Sequence, residues 1–127
     1  MATSSGLSPL KVASARFGSD TCVLVAETDQ FSPVQHIRSF DSLQIGEPVI
    51  TIGSPGGFNN TLSNGIISQL RLLDGQKLVQ TTAAISGGSS GGGLFDAKGN
   101  LIGITTFKIR DAESLNFAIS IDEYLKP

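Results

Sequence analysis

Polar and apolar positions alternate along Lys11-Val12-Ala13-Ser14-Ala15-Arg16-Phe17, the period of a strand with one face covered. Gly18-Ser19-Asp20 breaks that pattern and turns the chain into a second apolar run, Cys22-Val23-Leu24-Val25-Ala26. Residues 29–46 lose the period. With Pro33 near their start they read as a connection holding at most one helical turn, at Ser39-Phe40-Asp41-Ser42-Leu43. Val49-Ile50-Thr51-Ile52 is strand-like and stops at Gly53-Ser54-Pro55-Gly56-Gly57. A longer strand over residues 65–73 meets Asp74-Gly75, a pair that favours a hairpin turn, and Lys77-Leu78-Val79-Gln80-Thr81-Thr82 returns. Gly93-Leu94-Phe95-Asp96, then residues 101–107 after a turn at Lys98-Gly99, then Leu115-Asn116-Phe117-Ala118-Ile119 complete the strands. Residues 121–126 suit a short closing helix. Short strands at regular spacing with turn signals between them predict an all-β chain, an antiparallel barrel or sandwich.

Composition narrows this only a little. At 127 residues and 39% hydrophobic, the chain suits one compact domain with a real core. A formal net charge of -2 leaves no electrostatic footprint for nucleic acid or an anionic membrane. No apolar run approaches the roughly 20 residues a membrane-spanning helix needs. Met1-Ala-Thr-Ser-Ser-Gly6 shows neither the basic nor the apolar region of a signal peptide. The compartment is left undetermined. Cys22 is the single cysteine, so neither an internal disulfide nor a cysteine zinc cluster is available, and its apolar setting predicts a buried structural thiol. One histidine and scattered carboxylates make no ligand cluster, so no metal or organic cofactor is expected.

The densest chemical signal is Ala84-Ile85-Ser86-Gly87-Gly88-Ser89-Ser90-Gly91-Gly92-Gly93-Leu94. Glycines on both sides of a serine let the backbone take positive φ and aim its amides at one point. Converging amides are what an oxyanion hole needs, because charge developing on a tetrahedral intermediate must meet preset donors. Composition alone also fits a flexible Gly/Ser linker. Against that, apolar strands frame the loop, and a linker inside a compact barrel would be unusual. A phosphate-cradling loop would need a following Gly-Lys-Ser/Thr and a helix, where this chain begins a strand at Leu94-Phe95.

These residues resemble the C-terminal half of the HtrA/Deg family of trypsin-like serine proteases. The resemblance is carried by Pro48-Val49-Ile50-Thr51-Ile52-Gly53-Ser54-Pro55-Gly56-Gly57, Ser63-Asn64-Gly65-Ile66-Ile67-Ser68 and Gln80-Thr81-Thr82-Ala83-Ala84-Ile85. Gly88-Ser89-Ser90-Gly91-Gly92, Leu101-Ile102-Gly103-Ile104-Thr105 and Asn116-Phe117-Ala118-Ile119 follow in the family's order. It implies a Greek-key barrel of the trypsin-like type: remnant first-barrel strands over residues 1–30, an inter-barrel connection over 31–46, and the complete second barrel over 47–127. The serine before the double glycine, Ser90, takes the role of nucleophile, and the amides of Gly88, Ser89 and Ser90 that of oxyanion donors. Asp20, before Thr21-Cys22-Val23-Leu24, matches the triad aspartate, whose task is to hold an imidazole in the correct tautomer. Read on its own, Asp20 is an ordinary turn residue.

The chain departs from the family at the histidine. Its one histidine, His36, follows Asp20 instead of preceding it and falls in Val34-Gln35-His36-Ile37-Arg38, where the family has no catalytic residue. It reads as a surface or inter-barrel polar residue, although triads are recognised by role and not by chain order. Ser89 stands where digestive relatives carry an activating aspartate, and Gly93 where proline is commoner. The substrate-binding positions implied by the resemblance are Ala84, Ile85, Ser86, Thr105, Thr106, Phe107, Lys108, Asn116, Phe117 and Ala118. They offer no carboxylate, which implies small or medium apolar side chains in the specificity pocket. Thr105-Thr106-Phe107 would pair with an extended peptide.

Three functions remain open at this point: part of a working endopeptidase that is inactive without a histidine segment, a non-catalytic peptide-binding pseudoprotease, and an assembly module. The expected partners are an extended peptide or protein substrate and, through unpaired edges at residues 11–26, a second copy or an upstream barrel segment. Relatives are often periplasmic or otherwise extracytoplasmic.

Overall fold

A computed structural model describes residues 2–3, 6–7, 10–16, 21–26, 32–53, 61–85, 89–110 and 113–125, with residues 2–3, 6–7, 107–110 and 113–115 described by their backbone course alone. The chain forms two compact units, Met1–Pro33 and Val34–Pro127. In the first, β1 (Ala2–Thr3) pairs with β2 (Gly6–Leu7), and β3 (Leu10–Arg16) pairs antiparallel with β4 (Thr21–Ala26) through a bulge between Val12 and Ser14. The expectations of a half-covered strand and a buried Cys22 are both corrected here. Residues 11–16 and 22–25 are exposed on both faces of this ribbon, Cys22 included. Alternation records that two faces differ, but it does not supply the layer that covers one, and a two-stranded ribbon offers little beyond its partner strand.

The second unit opens with an extended stretch and one 3-10 turn, η1 (Phe40–Ser42), at the place expected for a single helical turn. Six strands follow: β5 (Pro48–Gly53), β6 (Thr61–Leu73), β7 (Gln76–Thr81), β8 (Gly93–Asp96), β9 (Leu101–Arg110) and β10 (Glu113–Ser120). They close into a barrel in the order β10-β7-β6-β5-β8-β9, every neighbour antiparallel. Closure leaves no exposed sheet edge along the paired strands. The period-2 pattern does the sorting. Val49 and Thr51 of β5 point inward at 1% and 6% exposure, while Ile52 between β6 and β8 faces out. The interior joins Leu43, Val49, Ile67, Val79, Leu94, Ile102 and Ala118, with Phe40 and Leu70 packed against them. Burying a side chain of this size stabilises by roughly 1.5–3 kcal/mol.

Leu78, Phe117 and Ile119 alternate to the opposite face of β7 and β10, where Leu73 and Tyr124 pack on them. Tyr124 belongs to η2 (Ile121–Tyr124), the closing helix as a single 3-10 turn, started by the Ser120 hydroxyl accepting from the Asp122 amide at 3.2 Å. The Asp74-Gly75 hairpin is tight because both residues take positive φ, 50° and 77°, as a type I′ turn demands.

Candidate active site

β7 and β8 follow one another in the chain but not in the barrel, where two strands separate them in either direction. The glycine-rich connection between them therefore has to span the separation of those strands, and its two described ends are each bonded to neighbouring strands. On the side nearest β7, the Ala84 amide donates to Ser63 Oγ of β6 at 3.1 Å, and Asn116 Nδ2 of β10 donates to the Ala83 carbonyl at 3.2 Å. On the side nearest β8, Gly91 donates to the Thr105 carbonyl of β9 at 2.8 Å, and the Thr105 amide returns a bond of 2.8 Å to the Gly92 carbonyl. A Cβ on Gly92 would lie 2.2 Å from the Ile52 carbonyl, so this end also lies against β5.

Residues 89–92 form a tight turn in which Gly92 N–H donates to the Ser89 carbonyl at 3.3 Å and Gly91 has φ +93°. A turn with positive φ at its third position requires glycine there. Ser90 occupies the second position, at the corner, and is exposed, while Ser89 is half-buried. Fixed strands beneath and an exposed serine at the corner can present a nucleophile to a ligand held outside the barrel. The Thr105 side chain holds the turn from below: its hydroxyl lies 3.0 Å from the Ser89 carbonyl oxygen and 3.2 Å from that of Gly92.

Ala84 is exposed, and Ile85 is buried beside it. Thr105 and Thr106 are buried on opposite faces of β9, Thr105 registering with Ala118 and Thr106 with Phe117. Ala118 lies wholly within the interior, Phe117 packs in the outer cluster, and half-buried Asn116 is bonded to the loop. Phe107 and Lys108 continue β9 past Ile104, where its pairing with β8 ends. His36 is exposed, and its carbonyl accepts from Leu101 N–H at 3.0 Å, tying the segment before η1 to β9. Asp20, Ser86, Gly88 and residues 54–60 lie outside the described residues.

A polar cluster that the strand pattern did not single out sits at the Asp96 end of β8, away from the Ser89–Gly92 turn. Arg38 pairs with Glu47 and with Asp96 at 3.3 Å, and reaches the Ser42 carbonyl at 2.6 Å. The hydrogen bond to Glu47 raises the Arg38 pKa against the opposing effect of burial. Asp96, at the end of β8, accepts from the Lys98 and Asn100 amides, both at 2.9 Å, and from Asn100 Nδ2 at 2.9 Å. Burial pushes its carboxyl up, but the bonds from Asn100, Lys98 and Arg38 outweigh that and hold it below the usual carboxylate range. Asp96-Ala-Lys98-Gly99-Asn100 is the spacing of an aspartate that caps its own turn, which makes half of this cluster readable locally.

Residues 4–104 match the family model of the trypsin-like peptidase domain. The chain is 42% identical over 119 residues to the serine protease Do-like HtrB of Bacillus subtilis, covering 80% of this chain and 26% of that protein. With the serine endoprotease DegS of Haemophilus influenzae it is 36% identical over 114 residues, covering 81% of this chain and 33% of the relative. Among solved structures, the HtrA-type protease AlgW with a decapeptide superposes with a TM-score of 0.84 at 31% identity, covering 98% of this chain and 41% of that one. The chain thus spans about a quarter to a third of the length of these curated relatives.

Proposed function

We propose, for a chain that belongs to the trypsin-like peptidase family and whose relatives are HtrA/Deg serine proteases, that Ser90 is the nucleophile of a serine endopeptidase domain. One observation carries this reading: Ser90 is exposed at the corner of a turn whose carbonyls and amides are bonded to β9. The amides of Gly88, Ser89 and Ser90 serve as oxyanion donors. Asp20 is the triad aspartate, for which this chain has no histidine at the family's position, so the chain alone hydrolyses peptides poorly. Residues 1–30 act as closing strands of a first barrel, 31–46 as the connection and 47–127 as the nucleophile-bearing barrel. An extended peptide runs along β9 beyond its pairing with β8, near Phe107 and Lys108, with Ala84, Ile85, Ser86 and Asn116 bordering the pocket. A neighbouring structure, AlgW, holds a decapeptide.

A fluorophosphonate probe tests the nucleophile without requiring turnover. Oxyanion donors and binding alone retain about 10³-fold catalysis over water. The folded chain should therefore label at Ser90 well above the rate of the same chain unfolded in urea, and Ser90→Ala should abolish that excess. Equal rates folded and unfolded, or an excess that survives Ser90→Ala, overturn the assignment.

A second reading, assembly through the first unit, is favoured by its apolar exposure: Val12 at 65%, Val23 at 42%, and Leu24 and Val25 at 49% each. Exposed apolar residues on a short ribbon recruit another chain. Light scattering should find a self-associated species that Leu24→Lys disperses. A monodisperse wild-type monomer would rule this out.

A further inference from the structure

We infer that Thr105 is a positioning residue for the Ser90 site, and that its hydroxyl sets the orientation of the Ser90 backbone amide. The inference rests on the reading of Ser90 as nucleophile and extends it to a residue that does not touch the reacting atoms. A peptide unit is planar, so the Ser89 carbonyl and the Ser90 N–H point in opposite directions as one rigid plate. Thr105 Oγ1 is 3.0 Å from the Ser89 carbonyl oxygen, and Gly92 N–H reaches the same oxygen at 3.3 Å. Two donors on one side of the plate hold the N–H on its other side in a fixed direction.

The second acceptor of the same hydroxyl, the Gly92 carbonyl at 3.2 Å, also accepts from the Thr105 amide at 2.8 Å. With Gly91 N–H on the Thr105 carbonyl at 2.8 Å, this one residue is bonded to three peptide units of the loop, 89–90, 90–91 and 92–93. Thr105 is only 4% exposed and faces inward beside its cross-strand partner Ala118 of β10, so no bulk water stands ready to replace its hydroxyl. A backbone ladder alone would hold Gly91 and Gly92. Of the groups of Thr105, it is the side chain that reaches the plate carrying the Ser90 N–H, where it joins Gly92 N–H on the Ser89 carbonyl oxygen. An oxyanion donor acts through prior orientation, since a donor that must turn into place during the reaction loses its advantage.

Thr105→Val keeps the β-branched shape and removes the donor, whereas Thr105→Ser keeps the donor and removes a methyl group. In the full chain, Thr105→Val should slow fluorophosphonate labelling of Ser90 about tenfold, the scale of one lost hydrogen bond. It should speed hydrogen exchange of the Ser90 amide by a similar factor, and Thr105→Ser should restore both. Thermal melts of the two variants show whether the barrel is intact. A structural role alone would track the melt and would not be rescued by serine specifically. Wild-type labelling that never exceeds the unfolded chain sinks the nucleophile assignment and leaves amide exchange to decide this inference. Unchanged exchange in a folded Thr105→Val, or labelling equal to a reactive wild type, overturns it.

Discussion

Replacing Gly92 by alanine should destabilise the barrel by about 3 kcal/mol, the upper part of the range for forced overpacking, and lower its melting temperature by about 15 °C. The added methyl would meet the Ile52 carbonyl oxygen at 2.2 Å, with the Ser89 carbonyl oxygen at 3.4 Å. Neither obstacle is a flexible side chain that can swing aside. Ile52 belongs to β5, which is paired on both edges, with Leu62 of β6 and with Gly93 of β8. The turn must therefore lift, stretching the Gly92–Thr105 bond and displacing Ser90. Gly91→Ala is the informative comparison. Nothing lies within 4 Å of its added Cβ, but its φ of +93° strains any L-residue, which costs roughly 1–2 kcal/mol. Denaturant melts by circular dichroism should rank Gly92→Ala as the more damaging. The opposite order would mean that the loop rides free of β5.

Asp96→Ala should also cost about 3 kcal/mol at neutral pH, because it orphans donors that a buried carboxylate satisfied. The Lys98 and Asn100 amides, the Asn100 side chain and Arg38 all lose an acceptor, and the Asp96 side chain is only 6% exposed. The penalty should depend on pH in a definite direction. The folded carboxyl lies below its ordinary range, so on acidification the unfolded chain takes up this proton first. The stabilisation is complete above the unfolded value of about 3.9 and is lost as pH falls from there through the lower folded value. Urea titrations at neutral pH and near pH 3 should show the gap between wild type and variant closing with acid. A constant gap would show that the carboxylate charge contributes nothing at this corner.

Most strands were legible because alternation is a local property. Gly93–Asp96 begins and ends where glycine and Lys98-Gly99 indicate, and Asp74-Gly75 makes the hairpin its residues favour. β6 runs four residues earlier than the sequence suggested, to Thr61, because pairing with β5 extends to Thr61↔Gly53. Cys22 was misread because an apolar run was equated with burial, and a ribbon of two strands does not provide it. Arg38 went unnoticed as an anchor, since its partners Glu47 and Asp96 lie 9 and 58 residues away.

By itself the chain determined its class, its turns and the run of glycines about Ser90, all of which depend on neighbouring residues and on which backbone angles each side chain permits. Tertiary structure alone decided which strands the two ends of the loop bond to and that Thr105, 16 residues from Ser89, holds the Ser90 turn. That contact exists because β9 and β10 complete the ring. Ring closure joins segments far apart in sequence, and no local period records which of them will meet.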